Sequence, residues 1–192
     1  MIAFCKIDGG GGELNGKRVD FPFVEGVDWK KSLYSHLGLD YPRFFRMDDL
    51  SKLTILCMEL IKQSSSMRAF EKAETSMIFS NKSASTFTDN LFVETLEKGK
   101  PSPSLFVYTL PNVCVGELTI KNLLYGGSSF YISNTIIELP LCDLVEIELN
   151  KGYKNVLIGR VDKSNNTDFG LFFLFDSPVT NEDLILIGSF NK

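Results

Sequence analysis

Among the 192 residues there is one histidine, His36, and one tryptophan. A single histidine gives zinc too few ligands, and no metal or organic cofactor is expected. The four cysteines, Cys5, Cys57, Cys114 and Cys142, are far apart and form no C-x-x-C pair. They read as buried free thiols in a reducing compartment. There is no excess of basic residues. The formal net charge of -4 excludes a general nucleic-acid binder, because phosphate backbones select basic surfaces. No apolar run reaches the roughly 20 residues that span a bilayer. The opening MIAFCKIDGG lacks the apolar length and the small-residue cleavage site of a signal peptide, so a cytoplasmic protein without a membrane span is expected.

What is abundant is phenylalanine, sixteen residues against six tyrosines. With 44% hydrophobic and 23% charged residues, the chain has the composition of one packed domain, 1–192. Gly9 to Gly12 is no phosphate loop, since no Gly-Lys-Ser/Thr and no clear helix follows; a turn is expected there, with loops through His36.

The apolar periodicity predicts a strand at Ile2–Ile7 and a helix over 47–62, with Asp48 or Asp49 as its cap. A strand follows at Thr75–Phe79, then a loop over 80–89. Helix 90–98 is expected to face Leu91, Phe92, Thr95 and Leu96 inward, and GKPSPSLF reads as a proline-stiffened loop. Pro111 begins a helix to about Leu124. Strand Ser128–Ser133 leads to one helix from Thr135 to Asn150, kinked by Pro140. Strand Asn155–Val161, a turn over 162–167, the doubly buried strand Asp168–Phe175 and a last strand Leu184–Gly188 complete the chain. Strands alternating with helices imply an α/β fold, a mixed β-sheet layered with α-helices.

Residues 102–120, SPSLFVYTLPNVCVGELTI, carry Ser102, Pro103, Phe106, Leu110, Pro111, Asn112, Gly116 and Glu117 in a recognisable order. Met47, Asp48, Leu50, Ser51, Lys52 and Leu53 form a second motif. With the Gly126-x-Ser128 segment, the strand, helix and glycine that follow it, and Asp168–Phe175, the chain resembles the β-ketoacyl synthase family over residues 40–176. The resemblance implies the N-terminal half of a thiolase-like fold.

It also implies a chemistry. Such enzymes hold a cysteine at a helix N-terminus, where the dipole favours the thiolate that takes an acyl group from an acyl carrier protein. Anchoring on Gly126, Ser128 and Gly152 puts Thr135 at that position. A threonine hydroxyl without a base is a far weaker nucleophile, so Thr135 is expected to be a helix cap and no residue is assigned as catalytic. The resemblance places the catalytic histidines in a second half that this chain does not supply. Phe106, Tyr108, Phe130, Asn134, Thr135 and Glu138 are the pocket candidates. Pro111, Asn112, Ser128, Tyr131 and Ser133 are the interface candidates.

The expected function is a non-catalytic partner of an active ketosynthase, like a chain-length factor, in acyl-carrier-protein-dependent fatty-acid or polyketide and polyene biosynthesis. It would act as a homo- or heterodimer with a ketosynthase or acyl carrier protein as partner. The alternatives are a small acyl-binding or scaffold protein, and an acyltransferase using Thr135, Cys142 or Cys114.

Overall fold

A computed structural model describes residues 1–9, 11–21, 25–64, 74–165 and 167–190. Gly10 of the glycine run and Asn166 of the last turn lie outside the described residues. Seven strands form one sheet: β1 Ala3–Asp8, β2 Gly11–Leu14, β3 Lys17–Asp20, β4 Thr75–Asn81, β5 Ser128–Ile132, β6 Asn155–Lys163 and β7 Asp168–Phe175. Their order is β3-β2-β1-β7-β6-β4-β5. β4 is parallel to β5 and β6, while β7 is antiparallel to both β6 and β1. β1, β4, β5 and β6 therefore run the same way, and their carboxyl ends gather on one side.

Alternation along β6 and β7 builds two cores. Leu157, Val161, Phe172 and Leu174 face the first layer. Val156, Ile158, Leu171, Phe173 and Phe175 face the second. Both faces are covered, which is why these strands are apolar without interruption. Fully burying Phe172 or Phe173 contributes roughly 1.5–3 kcal/mol each.

The first layer holds α1 Trp29–His36, α2 Asp49–Ile61 and α5 Val113–Asn122. α2 is buried around most of its circumference, and Asp48 caps it by accepting the Ser51 N–H at 2.9 Å. α2 comes so close to β7 that a Cβ on Gly170 would lie 2.4 Å from Cys57 Sγ. The second layer holds α6 Leu141–Asn150 and α7 Asn181–Ser189. α3 Thr86–Glu97 and the short α4 Pro103–Val107 pack on each other near Phe92 and Phe106.

Several elements differ from the sequence reading. The loop expected before His36 is instead a hairpin and a helix. β2 and β3 turn at Asn15-Gly16, both at positive φ (49° and 80°), as a type I′ hairpin requires. α1 is capped by Asp28, which accepts the Lys30 N–H at 3.1 Å, and His36 is its last residue. α3 begins at Thr86 rather than 90, and the 103–107 stretch is helical, with Ser102 as N-cap and Pro103 in the first turn. Leu91 and Leu96, expected to face inward, are exposed, because no layer of the described residues covers that side of α3. The last element is a helix, not a strand. A capping box starts it: Thr180 N–H donates to Asp183 at 2.8 Å and Asp183 N–H to Thr180 Oγ1 at 3.2 Å.

The helix expected over 135–150 is in two pieces. Residues Ile136–Glu138 form a 3-10 turn, and α6 begins only after Pro140. Proline cannot donate to the ladder, and it holds Leu139 extended at φ -79°, ψ 142°. Cys142 therefore lies in the first turn of α6 instead of two turns into a continuous helix.

Candidate functional site

Where the parallel strands end, the chain leaves β5 through Ser133 and Asn134 and enters the 3-10 turn at Thr135. Ser133 N–H donates to the Asn81 carbonyl at 2.8 Å, so the exit is tied to the end of β4. Arg160 reaches this exit from β6. It is 7% exposed, and it donates from Nη1 to the Ser133 carbonyl at 3.1 Å and from Nη2 to the Asn134 carbonyl at 2.8 Å. Its Nε pairs with Asp162 at 2.7 Å. Asp162 also accepts the Lys82 N–H at 2.7 Å.

Glu138 folds back over the same turn. Its carboxylate lies 2.8 Å from the Ser133 hydroxyl and accepts the Asn134 N–H at 2.9 Å and the Thr135 N–H at 3.4 Å. The Ser133 hydroxyl and these amides hold its carboxyl below the usual carboxylate value. Thr135 and Glu138 have the arrangement of a capping box, but the hydroxyl arm is too loose to count as a bond. Thr135 Oγ1 is buried without a hydrogen-bond partner among the described residues.

A crevice of about 710 Å³ opens beside this turn, and Asn134, Thr135, Arg160, Phe169, Leu171 and Phe190 are among the residues that line it. Open α/β sheets bind ligands at such carboxyl ends. A second groove, about 490 Å³, lies between α5 and β5, and Pro111, Asn112, Ser128 and Phe130 line it. Among the described residues nothing pairs with the outer edge of β5, the last strand of the sheet. No group of three metal-ligating side chains occurs among the described residues, and no described helix is long and apolar enough to cross a membrane.

No family model matches the chain, and no curated protein matches it. Solved structures do match. A chain from a ketosynthase in complex with its chain length factor, from Xenorhabdus doucetiae, aligns over 90% of this chain and 91% of its own, with TM-score 0.57 and 14% identity. The fold is ketosynthase-like. The ishigamide ketosynthase/chain length factor matches 94% of this chain with TM-score 0.63 and 14% identity. A ketosynthase structure with its type II polyketide synthase acyl-carrier protein, bound to the hexaketide, matches 97% with TM-score 0.62 and 9% identity. The chain spans 63% and 64% of those last two chains, less than two thirds of either.

On this ketosynthase-like fold the candidate residues fall into separate groups. Asn134 and Thr135 line the crevice, and Glu138 and Ser133 brace the turn beside it. Phe130 shares the second groove with Pro111, Asn112 and Ser128. Tyr131 is half-buried against the second-layer core. Phe106 is 61% exposed on α4. Tyr108 is buried and donates to Glu117 at 3.0 Å; burial and the Glu117 carboxylate push its phenol up. Glu117, 2% exposed, also accepts from Arg43 at 2.8 Å, so it is a structural anchor of α5.

Sequence reasoning missed Arg160. A lone cation inside the apolar run NVLIGRV was the available signal, since a charge in a buried strand needs built partners. Of the cysteines, Cys5, Cys57 and Cys114 are buried, and burial pushes the Cys114 thiol up to about 12.

Proposed function

We propose that this chain is a non-catalytic ketosynthase-like subunit, a single domain that pairs with an active synthase in acyl-carrier-protein-dependent chain assembly. The observation that carries the reading is the edge of β5. Its outer side is unpaired among the described residues, and exposed apolar side chains flank it: Ile132 is 58% exposed, Ile120 56%, Leu123 53% and Tyr125 73%. A bare edge strand beside apolar surface is a pairing surface, because its free amides and carbonyls extend a neighbouring sheet. The matched complexes hold a ketosynthase with its chain length factor, and a ketosynthase with its carrier protein.

The absence of catalysis rests on the Thr135 turn. The hydroxyl is closed off from solvent, the nearest carboxylate already accepts backbone amides, and Pro140 separates the turn from the N-terminus of α6. His36, the one histidine, is exposed at the end of α1 and does not line the crevice. The device that activates a thiolate in this fold, a helix N-terminus directly at the nucleophile, is not built here.

The test is co-expression with a full-length ketosynthase, read by native mass spectrometry. A one-to-one complex is expected, and Ile132→Lys, on the exposed edge, abolishes it without lowering the unfolding midpoint. A chain that stays apart from every synthase and carrier protein offered would overturn the reading.

A further inference from the structure

Among the described residues, three that are not glycine sit in the left-handed region: Asn15, Ala84 and Leu123. Local bonds hold the first two there. The Asn15 carboxamide accepts the Phe4 N–H at 2.8 Å and donates to Ser64 Oγ at 2.8 Å. The Asn81 carboxamide clamps Ala84, donating to its carbonyl at 2.8 Å and accepting its N–H at 2.9 Å. Leu123 has no such clamp from a side chain. It is the C-cap of α5, at φ 56° and ψ 46°, and its N–H donates to the Thr119 carbonyl.

Its neighbours force this conformation. Asn122 is buried, donates to the Leu118 carbonyl at 3.0 Å and accepts from Lys62 Nζ. Leu124 is buried in the first-layer core. A reversal between two buried residues needs a left-handed step, which glycine adopts freely and leucine only with strain. Packing within the chain does not offset the strain, because the Leu123 side chain is exposed. With Ile120 one turn before it and Tyr125 just after it, both also exposed, it forms a rigid apolar knuckle. Strain that the chain itself does not use points to a contact made outside it.

Charge decides what that contact is. From Pro111 to Ile132 the only charged side chains are Glu117 and Lys121. Glu117 is buried against Arg43 and Tyr108, and Lys121 pairs with Glu59. The stretch presents no free charge, so the surface that covers it is apolar. The knuckle also runs directly into β5, which opens at Ser128, so a strand laid along the outer edge of β5 passes beside it. We propose that Leu123 anchors the synthase interface, seated in an apolar pocket of that partner with Ile120 and Tyr125 around it. This rests on the pairing reading above and names the side chain that locks it.

The test titrates a full-length ketosynthase with the parent chain and with Leu123→Gly, Leu123→Asn and Leu123→Met, and follows thermal unfolding of each chain alone. Leu123→Gly and Leu123→Asn are expected to unfold no earlier than the parent, since both residues accept the left-handed step. Both are expected to bind the synthase at least about tenfold more weakly, the effect of losing one buried apolar side chain. Leu123→Met keeps an apolar side chain of similar volume and is expected to bind like the parent. Earlier unfolding of the Gly and Asn variants would overturn the proposal by showing that Leu123 serves packing in its own chain. Undiminished affinity in both would overturn it as well, and so would a knuckle that proves to hold a second copy of this chain instead of the synthase. In each case Ile132→Lys still breaks the complex, and the pairing reading stands. A parent chain that never binds a synthase overturns both.

Discussion

Arg160 Nη2 donates to the Asn134 carbonyl oxygen across 2.8 Å, so a side chain of β6 fixes the turn that leaves β5, two strands away in the sheet. The guanidinium fork also holds Ser133 and Asp162. Arg160→Lys keeps the charge but not the fork. Losing the two carbonyl bonds in a buried setting is expected to cost roughly 2–4 kcal/mol. Urea unfolding measures it; an unchanged midpoint would show that the turn holds itself.

Asp168 ties four elements together at the same end of the sheet. It takes Lys30 Nζ at 2.7 Å, Lys163 Nζ at 2.9 Å and the Trp29 indole N–H at 3.2 Å, with Asp49 of α2 within 4 Å of both ammonium groups. Burial opposes its ionisation, but hydrogen bonds and charge from Lys30 and Lys163 outweigh burial, so its carboxyl sits below the usual 3.8. A depressed folded value gives stability that is present above the unfolded value and lost as pH falls through the folded one. Asp168→Asn is therefore expected to be less stable than the parent at pH 7, by on the order of 3 kcal/mol for a buried pair broken on one side. The gap closes as pH drops below about 4. Denaturant curves from pH 7 to pH 3 follow it, and a pH-independent gap would contradict the linkage.

Asp48 carries the opposite sign. Burial raises its carboxyl despite the bonds from Ser51 and Thr88. A raised folded value is a penalty on the ionised form, present above the folded value and absent below the unfolded one. Asp48→Asn keeps an N-cap acceptor for Ser51 and removes the penalty, so its stability at pH 7 is expected to match or exceed the parent's. Asp48→Ala loses the cap and about 1 kcal/mol. Thermal unfolding of the three proteins at pH 7 separates cap from charge.

The contact between Gly170 and Cys57 gives a coupled pair. Gly170→Ala drives a methyl against a buried sulfur, and overpacking of this kind costs about 1–3 kcal/mol. Cys57→Ala empties part of the same space. The double variant is expected to be more stable than the sum of the single losses predicts, and a double-mutant cycle in urea reads the coupling. Strict additivity would mean that α2 simply shifts away.

Thr135→Cys tests the non-catalytic reading directly. The new thiol would sit where the hydroxyl is closed from solvent, beside the Glu138 carboxylate, with the nearby Arg160 already paired to Asp162. Labelled acyl carrier protein is expected to leave it unacylated, as judged by intact-protein mass. Stoichiometric acylation would show that a full nucleophile pocket survives in this chain.

Much of the fold is legible in the sequence alone. The apolar runs at 155–161 and 168–175 announce doubly buried strands, the 47–62 periodicity announces α2, and the ordered motifs from Met47 to Glu117 announce a ketosynthase-like fold. These signals are local, set by spacing along one element or by residues close in the chain. The hairpin at Asn15-Gly16 and the Thr180–Asp183 box were also written locally, but a short apolar run such as 184–188 has no period long enough to separate helix from strand.

Tertiary structure alone decided the rest. It decided that Arg160, Asn134 and Phe190, from three distant segments, meet around one crevice, and that the Thr135 hydroxyl oxygen is buried in a turn Pro140 cuts short. It also left the outer edge of β5 unpaired among the described residues. Sheet order and the partners of a buried charge depend on which strands pair across the fold, and no spacing within a single segment records that. Thr135 was singled out from the sequence; the crevice beside it was not.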